Sequence, residues 1–130
     1  MKDMSPNTTS LIQNPHNYIL VGSKHKGDYL EKKQVIYAKS DVNYTWLYLT
    51  DGSRYLSSKP IGYYEETLKK DNFIRIHRSY LINLFNVKYG DQKYRLVHLK
   101  REITLSVSHR KSRSFFKKLK STQQAKYILC

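Results

Sequence analysis

Three adjacent polar side chains, His77, Arg78 and Ser79, interrupt a β-prone run over residues 73–83. Strand residues alternate between faces, so three neighbours of this kind cannot all share one. The backbone is therefore predicted to turn there and to present at least one of them. Arg78 carries a planar fork of donors suited to phosphate oxygens or to the edge of guanine. A second cluster opens the last predicted helix: His109, Arg110 and Lys111 fill its first turn, and Arg113, Lys117, Lys118 and Lys120 follow. Exposed cations at a helix N-terminus oppose the macrodipole at about 0.3–1 kcal/mol each. An anion docked on the free N–H groups reverses that balance. A third candidate is the loop over 39–43 with the residue that follows it. There Asn43 offers an amide able to pair with adenine, and Tyr44 a phenol able to bond phosphate. An ordinary turn and a merely basic surface helix are the competing readings of the last two clusters.

The charge supports an anionic partner. The 130 residues carry a formal +14, unevenly spread. Residues 1–70 hold 10 Lys/Arg against 7 Asp/Glu, whereas 100–120 hold 8 against 1. A diffuse surplus serves solubility, but a cluster is an electrostatic footprint. Nucleic acid fits first, and an anionic membrane surface shares the same attraction.

Other classes find little support. The carboxylates are scattered except Glu65-Glu66, which sit on a predicted helix beside lysines and read as a solvated face. The five histidines show no metal-binding spacing, and Cys130, the single cysteine, can complete neither an intramolecular disulfide nor a thiolate metal site. The five glycines stand apart, so no phosphate loop forms. No enzyme activity and no cofactor are expected. No apolar run approaches the ~18 residues of a membrane span, and the N-terminus lacks a signal-peptide core. A cytoplasmic location is the corresponding expectation.

The elements that must position the clusters are short. Residues 1–17 are predicted to be a flexible arm and 121–130 a tail, with one domain over 18–120 between them. Strands are predicted at 18–21, 35–38, 44–50, 54–56, 73–76, around 87–89, at 94–99 and at 103–107. Turns are expected at 22–27, at Asp51-Gly52 (a strong hairpin signal), at 90–93 and at 100–102. Ser57 or Ser58 offers a helix cap with Pro60 just inside, and Ile61, Tyr64 and Leu68 form one stripe of a helix over 59–70. Glu65–Lys69 and Glu66–Lys70 are expected i,i+4 pairs. The last helix begins at Ser108 and is anchored by Phe115, Phe116 and Leu119. Tyr37, Tyr48, Tyr55 and Tyr64 fall at core positions, which weakens a base-stacking role for the 12 tyrosines.

Taken in order and spacing, these features resemble the LytTR (LytR/AlgR-type) DNA-binding domain of bacterial transcription regulators. Phe73-Ile74-Arg75-Ile76-His77-Arg78-Ser79-Tyr80-Leu81-Ile82-Asn83 is similar to the family signature F-x-R-x-H-R-S-[YF]-[LIV]-V-N, with Ile82 at the usual valine. Ser108-His109-Arg110 stands where the family usually shows Ser-Arg-Arg. The resemblance implies a mostly β fold (α+β) with two short helices, elongated and antiparallel, without a helix-turn-helix. It also implies loops entering the major groove of double-stranded DNA that carries short direct repeats. Residue by residue, it implies reading by Asn43 and Tyr44, by Arg78 beside His77 and Ser79, and by His109 and Arg110. Lys59 and Lys111 would lie near phosphates.

The expected function is thus a sequence-specific, response-regulator-like transcription regulator. Residues 1–17 are too few for a receiver domain, so three alternatives stay open: no phosphorylation control, switching by a sensor or other regulatory protein, or a fragment of a longer protein. A weak dimer on DNA also enters the expectation. The alternatives are an RNA or single-strand binder and a protein-interaction module that partners a sensor.

Overall fold

The protein's computed structural model describes residues 15–21, 29–122 and 127–129. They divide after Lys32 into two units. In the first, a short 3-10 turn, Pro15–Asn17, leads into β1 (Tyr18–Leu20), which pairs antiparallel with β2 (Tyr29–Glu31). The Lys32 ammonium donates to the carbonyl of His16. The predicted turn at 22–27 and most of the predicted arm lie outside the described residues.

Among the described residues, the second unit holds two sheets and two α-helices. One sheet has the order β5-β4-β3-β7-β6, from β3 (Val35–Asp41), β4 (Tyr44–Leu49), β5 (Arg54–Ser57), β6 (Phe73–His77) and β7 (Tyr80–Asn83), every pair antiparallel. The other has the order β10-β9-β8-β11, from β8 (Val87–Asp91), β9 (Leu96–Leu99), β10 (Ile103–Ser106) and β11 (Tyr127–Leu129). β11, within the predicted tail, pairs parallel to β8. The helices are α1 (Ile61–Thr67) and α2 (His109–Ser121).

Burial follows the apolar pattern. Ile36, Ile76 and Ile82 from the first sheet, Val97, Leu99 and Leu105 from the second, and Phe115, Phe116 and Leu119 from α2 share one core cluster. Fully burying each such side chain contributes about 1.5–3 kcal/mol, so α2 is seated by its three apolar residues. Ile61, Tyr64 and Leu68 form the expected buried stripe of the first helix.

Two boundaries differ from expectation for physical reasons. Pro60 is the N-cap of α1 rather than its first helical residue, with an extended ψ of 161°. Ser57 cannot cap because it ends β5 opposite Thr45, and its hydroxyl is engaged with the Tyr64 hydroxyl at 2.5 Å and the Lys59 N–H at 3.1 Å. Gly90 lies inside β8 rather than in a turn, and the chain reverses instead over 92–95. A Cβ on Gly90 would stand 2.8 Å from both Phe116 and Leu119. This glycine lets α2 approach the sheet.

Candidate nucleic-acid interface

The polar triplet sits on a bulge followed by a turn. Arg75 pairs with Leu81 and His77 with Tyr80, so Ile76 is the extra residue of β6. A bulge of this kind bends a strand and re-aims its groups. Ile76 keeps its side chain in the core while its carbonyl accepts the Ser108 N–H at 2.8 Å. Arg78 is exposed at the turn, and Ser79 is half-buried. His77 is half-buried beneath them: its Nδ1 accepts the Ser79 N–H at 3.1 Å, and its ring lies 5.1 Å from that of Tyr80. The imidazole therefore holds the turn from inside, and Arg78 is the side chain that reaches outward.

The turn is clamped from below by Arg75. Its Nε donates to the His77 carbonyl at 3.0 Å, a terminal nitrogen donates to the Arg78 carbonyl, and Nη1 meets Glu65 of α1 at 2.6 Å. This corrects the expected Glu65–Lys69 pair. Lys69 instead pairs with Glu66 at 2.9 Å, which raises the lysine pKa. Glu65 is drawn to Arg75 because a guanidinium across the packing gives a geometry that the exposed lysine lacks.

The β3–β4 connection is a two-residue turn of Val42 and Asn43, closed by the Asp41–Tyr44 pair. Trp46 Nε1 donates to Asp41 Oδ2 at 3.1 Å across its base. Asn43 is exposed, and Tyr44 is 50% exposed. Val42 has φ 57° and is 90% exposed. Positive φ in a β-branched residue is a genuine outlier, costing about 1–3 kcal/mol.

At the start of α2, Ser108 is the N-cap, its hydroxyl accepting the Lys111 N–H at 3.3 Å. His109 and Arg110 are exposed and Lys111 is half-buried, with no acidic residue in the first turn. Backbone hydrogen bonds tie the three places together. Ser40 N–H donates to the Ser79 carbonyl at 3.0 Å, and Ser108 N–H to the Ile76 carbonyl at 2.8 Å. The turn at 78–79 is thereby hooked on one side to the strand leading into the Val42–Asn43 turn, and on the other to the cap of α2.

Lys59 lies on the β5–α1 connection. Its carbonyl accepts the Thr45 hydroxyl at 2.7 Å, one residue from Tyr44, and its ammonium stands 4.7 Å over the Tyr63 ring. The fold thus brings Asn43, Tyr44, Lys59, Arg78, His109, Arg110 and Lys111 to one end of the strands. The Val107 N–H adds a further neighbour by donating to the Arg95 carbonyl at 2.8 Å. It brings the exposed Lys93, Tyr94 and Arg95 beside the same helix start. Sequence reasoning missed Arg75, Val42 and this basic turn. Arg75 stood at the fixed arginine of the quoted signature and the basic turn showed two cations flanking a tyrosine, whereas Val42 had no local signal. Among the described residues, no group of three or more His, Cys, Asp or Glu is placed to hold a metal ion. No described helix is long and apolar enough to cross a membrane.

The LytTr DNA-binding domain family matches residues 29–120. The chain belongs to the LytTR family. Membership makes this a DNA-binding domain. The chain is 34% identical over 73 residues to transcriptional regulatory protein LytR of Staphylococcus aureus, strains COL and USA300 among others. That match covers 56% of this chain and 29% of the relative's length, so the chain spans under a third of the LytR proteins it matches. A solved structure from Bacillus cereus, described as a LytTr DNA-binding domain, superposes with a TM-score of 0.64 at 22% identity. It covers 82% of this chain and 98% of that one, which establishes the shared LytTR fold.

Proposed function

We propose that this LytTR domain reads double-stranded DNA sequence-specifically through its turns, on sites built of short direct repeats. The observation that carries the reading is the row of outward-facing groups hooked together by the Ser40–Ser79 and Ser108–Ile76 backbone bonds. In it Arg78 presents a fork to a base edge, Asn43 an amide, and Arg110, with the His109 imidazole beside it, a further reader. Lys59, Lys111 and Tyr44 lie where phosphates would pass, and they supply affinity without sequence information. His77 and Ser79 support the central turn. α2 contributes its start rather than its length, because Phe115, Phe116 and Leu119 are committed to the core.

The test is selection of bound fragments from random duplex DNA, followed by titration with salt. A recurring direct repeat is expected. With roughly six phosphate contacts, the log–log salt slope is expected near −5. A flat salt response, or preference for the single-stranded form of the selected site, removes this reading. Adjoining repeats would seat two copies as a weak dimer held by DNA, which sedimentation with and without the repeat-bearing duplex tests.

A further inference from the structure

Val42 has a conformation and an exposure that packing does not explain. A single exposed apolar residue is ordinary on a protein surface. A β-branched residue at φ 57° is not, since glycine and asparagine occupy that region more easily. With 90% of its surface open, the side chain gains little from the fold that holds it this way. The turn carrying it is well braced, by the Asp41–Tyr44 pair, by Trp46 on Asp41, and by Ser40 on Ser79. The isopropyl group therefore projects from a fixed support. Its exposed neighbours Lys39, Asp41, Asn43 and Tyr44 are charged or polar. One apolar group in such a ring is too small for a protein interface core, which needs a contiguous patch.

We infer that Val42 is a specificity-determining residue that packs on the C5-methyl group of a thymine in the major groove. That methyl is the apolar feature of the groove wall, and it distinguishes thymine from cytosine in an otherwise polar surface. The inference rests on the reading that the β3–β4 turn enters a major groove, and it goes further by assigning a base type to an apolar contact. Asn43 beside it then supplies the hydrogen-bonding part of the same turn's readout.

The experiment replaces each thymine of the selected duplex, one at a time, by deoxyuridine. This deletes the methyl and leaves base pairing and all groove donors and acceptors in place. The native chain is expected to bind about fourfold more weakly at one or two positions, the worth of one buried methyl. Val42→Gly, which suits the backbone, is expected to bind the thymine duplex more weakly and to lose nothing further on uridine at those positions. Val42→Ile is expected to keep the uridine response. A native chain indifferent to every uridine overturns the inference, as does a Val42→Gly chain that retains the full response, because the methyl would then act through DNA shape. Failure of the native chain to select any duplex is a separate result that removes the underlying reading first.

Discussion

Arg75 and Glu65 are joined at 2.6 Å, and through that contact α1 fixes the shape of a turn it does not belong to. The guanidinium also holds the carbonyls of His77 and Arg78, so two successive carbonyls of the turn depend on one side chain. Arg75→Ala is expected to lower affinity for the preferred duplex on the order of tenfold and to destabilise the fold by about 1–2 kcal/mol. Non-specific binding should change little. Glu65→Gln keeps an acceptor, and its partly exposed pair is screened, so its stability loss should stay below about 1 kcal/mol. Urea denaturation alongside binding to specific and random duplexes checks both. Loss of both kinds of binding in equal measure would count against a positioning role.

Reading and holding should separate by position. Arg78→Ala is expected to cost about 1–3 kcal/mol on the preferred site and to relax discrimination at one base pair. Lys111→Ala should weaken all duplexes alike and make the salt slope shallower by about 0.9. Competition binding across single-base variants of the site, at several salt concentrations, measures both effects.

Tyr37 predicts an alkaline limit to stability. Burial first, and then the neighbouring Tyr48 and Tyr80, push its phenol from 10.0 up to about 12. Between those values the unfolded chain releases the proton while the folded chain retains it. This contribution to stability is therefore complete below pH 10 and declines as pH rises towards about 12. Denaturation midpoints of the native chain should fall across that window, and those of Tyr37→Phe should fall less, the difference being on the order of 2 kcal/mol. Parallel curves for the two proteins would exclude Tyr37 as the cause.

Gly90→Ala tests the seat of α2. The new methyl would lie 2.8 Å from Phe116 and Leu119, both fully buried, so the helix or the strand must move. A loss of about 1–3 kcal/mol is expected from overpacking, read as a lower thermal midpoint. An unchanged midpoint would mean that the side chains repack without strain.

Local chemistry was legible in the sequence where it decided the outcome. The Asp51-Gly52 hairpin forms with Gly52 at φ 92°, a backbone that glycine adopts freely. Phe115, Phe116 and Leu119 reach the core because helical spacing alone puts them on one face. The turn at 78–79 falls within the three adjacent polar groups, with His77 closing β6 and Arg78 and Ser79 making the reversal. What stayed hidden depends on residues distant in the chain. Gly90 carries a turn-like identity, but the rings of α2 dictate its place. Glu65 has a lysine at ideal helical spacing, yet an arginine ten residues on binds it. Val42 looks like any valine beside a strand, and only the closed two-residue turn gives it a positive φ.

The hooks between the turns use main-chain N–H and C=O groups, which every substitution except proline at the donor positions leaves in place. On the proposed reading, spacing along the DNA would be set separately from what is read there, like a ruler whose marks stay put while the letters above them are exchanged. Exposed Asn43, Arg78 and Arg110 can be replaced with little effect on that pitch. If those residues read DNA as proposed, new target sequences of the same period would lie a few substitutions away, whereas a change in the repeat spacing would require rebuilding the sheet.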